Sequence, residues 1–387
     1  MSGVLLLGAR EAEFATGMIR MYYKERWGGS VKGIERREFG FGDFDRKIAF
    51  RHMGFGNAKA LKEYLVANAP AFVSASWAEY NMPSARPMEK KGWLGGDLVF
   101  DIDAGDLNLQ CKKEHGGSWV CGKCLEGAKA ETVKLVEEFL MQDFGFGGKS
   151  ISINFSGNRG YHTRVHDDGV FKLDGKARRS IIDYITGTGI DMTVFFPALG
   201  RRGVRLDGPR PTDYGWGGKL ANGVLKALGG GTSTLMEMGI DRRTAEMLTR
   251  KSAEIRLGIS TGNWDKINIP KKAEFWGKVL NSIRISQSDA IDRNVSTDIY
   301  HLIRLPETLH GDTGLSSKIV GSIKDLERFS PMDDAVAFGD NDTRIKAAEV
   351  PKFEMNGRAF GPYSNESVTL PAYAAAYLVL KRLALLA

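Results

Sequence analysis

One six-residue stretch, Leu98-Val99-Phe100-Asp101-Ile102-Asp103, limits what this chain can fold into more than any other. Apolar residues lead in, and two carboxylates follow two positions apart. In an extended strand alternate side chains share a face, so Asp101 and Asp103 project one way while Phe100 and Ile102 turn into a core. Two carboxylates side by side on a half-buried strand repel each other and lose hydration unless a cation neutralises them. Carboxylate oxygens suit hard divalent ions such as Mg²⁺ or Mn²⁺. The alternative is that Asp101 opens an exposed loop with Gly105 and Asp106, where acidic residues need no partner.

Composition narrows the setting. A chain of 387 residues buries a substantial core in one large domain or two. With 42% hydrophobic and 26% charged residues it reads as a soluble globular protein. The net charge of +7 and pI near 9.1 favour an anionic partner, nucleic acid or nucleotides first. The apolar run at residues 4–7 has no basic flank or cleavage site, so no secretory signal is expected. No apolar run approaches the ~20 residues of a membrane span, and the segment 373–386 is interrupted by Lys381 and Arg382. Three cysteines, an odd number in one short segment, speak against a disulfide framework and for an intracellular metal site.

Along the chain, residues 11–27 have helical spacing and stop at Gly28-Gly29. Segments 36–42 and 48–53 read as two strands joined by a turn around Asp43–Arg46. Arg37, Arg51 and His52 there fit either a solvated sheet face or a cleft for an anion. A short helix is expected at 57–68 and connecting structure at 70–96. Immediately after the Asp101–Asp103 strand come Cys111, His115, Cys121 and Cys124, spaced C-x3-H-x5-C-x2-C. Four such ligands in so short a segment are what a closed tetrahedral zinc site requires. Lys112, Lys113, Gly116, Gly117 and Gly122 make the loop polar, with little core in which free cysteines could bury. A closed site implies a structural zinc. A helix over residues 133–144 follows.

Residues 150–155 alternate cleanly and run into Ser156-Gly157-Asn158-Arg159-Gly160-Tyr161-His162. A Ser-Gly-x-x-Gly turn presents backbone N–H groups and lets a phosphate come close, while Arg159 supplies a forked cation and His162 another donor. An ordinary β-hairpin turn uses glycines in the same way for geometry alone. His166 reads as a surface residue. Residues 174–290 become mostly helical (180–185, 220–228, 244–257, 273–279), with a basic run at 201–205 that suits a solvated face or a nucleic-acid backbone. Strand character returns at 299–305, and 371–386 reads as a terminal helix opened by Pro371.

The ordered set resembles the catalytic small subunit of archaeal and eukaryotic-type DNA primase. It comprises the Arg37-Glu38-Phe39 block, Asp101-Ile102-Asp103, the Cys/His knuckle and Ser156 to His162. Later come a lone Asp292 and His301-Leu302-Ile303-Arg304-Leu305-Pro306 leading to Leu309-His310-Gly311. The resemblance implies an α+β primase-polymerase fold, a mixed sheet flanked by helices with a zinc knuckle. It also implies a catalytic domain of residues 1–173 and 287–387, interrupted by a helical subdomain at 174–286. The family's metal-binding carboxylates fall on Asp101, Asp103 and Asp292. Its nucleotide-binding positions fall on Ser156, Arg159, His162, Arg304 and His310, with Glu38 and Arg51 as further cleft residues. Asn158 departs from the eukaryotic pattern, where an arginine is common. The implied activity is template-directed synthesis of short RNA or DNA primers by two-metal nucleotidyl transfer. A primer-extending repair or plasmid-type polymerase of the same superfamily, and a non-enzymatic zinc protein binding nucleic acid, are the alternatives. The implied partners are single-stranded DNA, nucleoside triphosphates and a primase large subunit, with no membrane, in an intracellular, nucleoid-associated setting.

Overall fold

Helix Ala9–Glu25 turns Ala15, Ile19, Tyr22 and Tyr23 to one side, and that side is buried. Ile19, Tyr22 and Tyr23 pack with Phe39, Phe41, Leu61, Leu65 and Leu309 in the main core. The computed structural model describes residues 7–116, 119–191, 194–196, 205–266, 272–288 and 291–387. Readings placed on residues 4–6, 117 and 201–204 lie outside these. Helix Ala58–Asn68 starts at Asn57, whose side-chain oxygen accepts the Ala60 N–H at 2.9 Å. β1 (Phe39–Gly42) and β2 (Phe50–Met53) form the expected antiparallel pair. β3 (Phe72–Ser76) pairs with β1 on its other side. β4 (Ala78–Tyr80) and β5 (Trp93–Gly96) make a hairpin, so 70–96 is not mere connection. All five β3 residues are buried, which removes the alternation that would mark a strand in the sequence.

β6 (Leu98–Asp103) lies beside β8 (Gly160–Val165), which pairs with β7 (Ile151–Phe155). β9 (Leu302–Arg304) completes the first sheet in the order β2-β1-β3-β9, and β10 (Ile319–Gly321) the second in the order β10-β7-β8-β6. Trp77, Ala78 and Tyr80, with Val99 from β6, Ile303 from β9 and Val295, form a buried cluster that ties the two sheets together. β11 (Asp342–Ala347), β14 (Glu366–Pro371) and β15 (Ala384–Leu386) make a third sheet, and β12 (Phe353–Met355) pairs with β13 (Arg358–Phe360).

Four further elements depart from the sequence expectation. The helix after the cysteines begins at Gly122, because Cys121 serves as its N-cap. The 244–257 pattern breaks at Lys251 into helices Arg242–Arg250 and Ser252–Ser260. Of 299–305 only Leu302–Arg304 is strand, preceded by the short helix Arg293–Thr297. The terminal helix spans Ala372–Leu380 and stops where Arg382 takes a φ of 60°, after which Ala384–Leu386 returns beside β11.

The chain divides into two compact units, one of Met1–Glu137, Phe146–Arg179 and Asp292–Ala387, the other of Glu138–Gly145 and Ser180–Ile291. The second is helical in its described part, with Trp216, Trp264 and Trp276 buried and the last two edge-to-face at 4.8 Å. Among the described residues no helix is long and apolar enough to cross a membrane.

Candidate active site

The register of β6 against β8 sets Asp101 opposite His162 and Asp103 opposite Gly160. Phe100 and Ile102 are buried, whereas the Asp101 and Asp103 side chains stay 28% and 30% exposed. These carboxylates therefore line a strand face, not a loop. Asp292 reaches them from far along the chain. Its backbone N–H donates to Asp101 O at 3.1 Å, and its own carboxylate caps helix Arg293–Thr297 by accepting the Asn294 N–H at 2.8 Å. Burial, then the charges of Asp103, Asp292 and Asp106, push the Asp101 carboxyl up to about 7. The three carboxyls feel one another's charge, and oxygen donors of this kind suit a hard divalent cation, although among the described residues only the Cys/His cluster is already gathered closely enough to hold an ion.

A cationic wall faces them. Arg159 Nε lies 2.6 Å from Asp103 Oδ1. Ser156 Oγ accepts the N–H groups of Gly160 at 3.2 Å and Asn158 at 3.4 Å, closing the turn that carries Arg159. Gly157 sits at φ +85°, and a Cβ there would lie 2.9 Å from His310 Cβ, so only glycine lets the two turns meet. Thr313 pins the contact by donating to Gly157 O at 2.5 Å. The Asn154 amide lies 3.3 Å from His162 Nδ1 and donates to it, which assigns the ring proton to Nε2, 3.6 Å from Asp101 Oδ1. Burial, then Arg164 and Arg304, hold His162 down to about 3, so this ring is neutral. His310 is likewise held well below the usual range by burial, then by Arg304, Lys47, Lys381 and His162. Arg304 stacks 4.8 Å over Phe72, its Nε buried without a hydrogen-bond partner, and burial lowers it to about 10. A buried guanidinium with an orphaned N–H is a ready anion site.

Glu38 and Arg51 form a neighbouring latch. Glu38 is fully buried, and its carboxylate accepts Arg51 Nε at 2.9 Å and the His52 N–H at 3.0 Å, with Lys91 Nζ at 3.3 Å. Arg51 also donates to Tyr300 O at 3.1 Å. Arg37 belongs to neither arrangement anticipated for it: buried, it donates to the carbonyls of Lys32, Ser76 and Trp77. His166 is half-buried, 2.9 Å from Asp97, and not a plain surface residue. Four groups at this site went unassigned in the sequence. Lys47 and Asp106 act on Asp101, His301 lies in the fields of Asp292 and Arg51, and Lys381 acts on His310. Lys47 follows Arg46 in the β1–β2 turn and His301 opens the segment before β9, so both had a signal. Lys381 had none, standing only as a break in an apolar run.

The knuckle residues converge. Sγ of Cys124 lies 3.5 Å from that of Cys111, 3.7 Å from that of Cys121 and 3.4 Å from His115 Nε2. All four ligand atoms lie within 4.8 Å of one another. A zinc–sulfur bond of about 2.3 Å gives a tetrahedral edge near 3.8 Å, which these spacings match. His115 Nδ1 lies 2.7 Å from Gly116 O and donates to it, leaving Nε2 free to ligate. The cluster could hold zinc. Trp119 anchors the segment edge-on to Phe353 at 5.9 Å and Tyr377 at 6.2 Å.

Comparison with known proteins gives a consistent result. The family model described as DNA primase small subunit matches residues 100–322. A DNA primase small subunit of Methanothrix thermoacetophila is 34% identical, the alignment covering 96% of this chain and 98% of the relative. Those of Methanococcoides burtonii and Cenarchaeum symbiosum are 32% and 31% identical, covering 89% and 90% of this chain and 91% of each relative.

Proposed function

The chain belongs to the DNA primase small-subunit family, and from that premise we propose how its own residues carry the activity. It is a catalytic primase subunit of DNA replication, a DNA-directed nucleotidyltransferase. In our reading it starts primers on single-stranded DNA from nucleoside triphosphates. A 3′-hydroxyl attacks the α-phosphorus, the bond to the β-phosphate breaks, and pyrophosphate leaves. The carrying observation is the approach of Asp292 to Asp101, through an N–H···O bond of 3.1 Å, beside Asp103.

Asp101, Asp103 and Asp292 would hold Mg²⁺ or Mn²⁺. When bound, such ions activate the hydroxyl and neutralise the triphosphate. The protein's share is placement and charge. Arg159, Arg304 and the turn at Ser156 cradle the triphosphate, and His162 and His310 add neutral N–H donors. Glu38 holds Arg51 toward the cleft. We assign no protein general base. Zinc at Cys111, His115, Cys121 and Cys124 braces the edge of the second sheet, within a primase-polymerase fold whose catalytic domain is residues 1–173 and 287–387 with 174–286 inserted. A primase large subunit is the proposed partner.

The test is de novo synthesis on a homopolymer template with Mg²⁺ or Mn²⁺. Asp101→Asn and Asp292→Asn should each lower incorporation by about a thousandfold in folded protein, and Asp101→Asn should raise the melting temperature of the metal-free chain near pH 7 by removing the repelled carboxylate. Intact incorporation in either variant removes the metal assignment.

A further inference from the structure

A cavity of about 530 Å³ opens beside the Ser156–Gly160 turn. Asn158, Arg159, Asp312 and Lys381 line it together with His115 and Trp119 of the knuckle. Lys381 is delivered rigidly. Every residue of helix Ala372–Leu380 is buried, and Lys381 is its C-cap. Leu380 abuts the His310 turn, since a Cβ on Gly314 would lie 3.1 Å from Leu380 Cδ1. The next residue, Arg382, donates to Phe44 O at 3.0 Å, fastening the helix end to the β1–β2 turn that carries Lys47. The Lys381 ammonium lies 5.4 Å from the Tyr377 ring centroid, and among the described residues it has no hydrogen-bond acceptor and no carboxylate within ion-pair reach. Two of the cavity's acids are engaged elsewhere: Glu349 accepts Ser364 Oγ at 2.7 Å and Asn365 at 2.8 Å, and Glu114 lies 4.0 Å from Lys123. Asp312 faces a neutral His310, and its charge acts on Lys381. An unpaired, part-buried ammonium beside a guanidinium and a glycine turn is poised for an anion.

We infer that Lys381 receives the terminal phosphate of the incoming nucleoside triphosphate, extending the cradle of Arg159, Arg304 and His310 into this cavity. The inference rests on the active-site reading above and adds a group from outside the segment that the family pattern matches. Lys381 is thereby a substrate-binding residue that distinguishes triphosphates from shorter phosphates. Asp312, facing the same space, tempers the site.

The test measures binding of a non-hydrolysable nucleoside triphosphate, the diphosphate and the monophosphate to the full chain with Mn²⁺. Elongation of a supplied primer is followed alongside. Lys381→Met should weaken the triphosphate about tenfold, the loss of one charged contact, and leave the monophosphate unchanged. In elongation KM should rise about as much, with kcat nearly constant. Lys381→Arg should restore most of the loss, and Asp312→Asn should tighten the triphosphate. Unchanged triphosphate binding in Lys381→Met overturns the inference. So does loss confined to primer initiation, which would give the cavity to the first nucleotide's own triphosphate. The Asp101→Asn result tests the catalytic reading separately, because nucleotide affinity can be measured without turnover.

Discussion

Glu38 shows how one buried carboxylate sets the groups around it. Burial alone would raise its carboxyl. The Arg51 guanidinium, Lys91 and the His52 N–H outweigh that and hold it below the usual range. Lys91 is as deeply buried as Glu38, so Glu38→Gln leaves two cations uncompensated and should cost about 3–5 kcal/mol of stability at neutral pH. A carboxyl depressed in the folded state contributes stability above its unfolded value, near 4.3, and loses it as pH falls through the native value. The wild-type melting temperature should therefore fall on acidification below about pH 5, and the variant should start lower and change less over that window. A parallel decline in both proteins would show that Glu38 is not the group responsible. In the sequence Arg51 fitted either a solvated face or an anion cleft, and Glu38 joined it only through the family resemblance, so their mutual bond was not visible. That depends on the left-handed His52, at φ 67°, which turns its N–H toward Glu38. Lys381 was illegible for a plainer reason: nothing local marks a lysine whose importance comes from where its helix ends.

Among the elements, β6 and the β7 strand with its glycine turn were the most legible, because alternation and the turn each announce themselves locally; that β8 pairs with β6 on its other side was not. From Phe100 to Asp103 burial along β6 follows the expected period, with Asp101 and Asp103 on the open face, whereas Val99 of that face is covered by the Trp77 cluster. β3 was hidden by its complete burial, and the Asp292 cap by the brevity of a five-residue helix. The knuckle was legible from spacing, and its chemistry is testable as an element. Cys124→Ser should abolish a stoichiometric zinc and lower the melting temperature by on the order of 10 °C, because metal binding here is folding free energy. Equal zinc content in variant and wild type would leave the cysteines as buried thiols. The Trp119 contact with Tyr377 carries a further expectation: zinc loss should loosen the helix that presents Lys381, and so weaken triphosphate binding together with stability.

At the scale of the molecule, the catalytic reading depends on segments that only the complete fold brings together. The strand of Asp101 and Asp103 sits in one sheet and Arg304 in the other, joined through Val99, Val295 and Ile303. Asp292 enters where the chain returns from the helical unit. No local pattern encodes that convergence; the order of motifs along the chain suggested it, and tertiary packing produces it. The excess of 54 basic over 47 acidic side chains is consistent with polyanionic template and substrates, although charge alone points to no particular one. The most direct measurement is anomalous diffraction from crystals soaked with Mn²⁺ and a non-hydrolysable nucleoside triphosphate. Two manganese peaks about 3.5–4 Å apart, ligated by Asp101, Asp103 and Asp292 with the phosphates against Arg159 and Arg304, are the expected result. Manganese bound without Asp292, or a nucleotide lying away from these carboxylates, would contradict it.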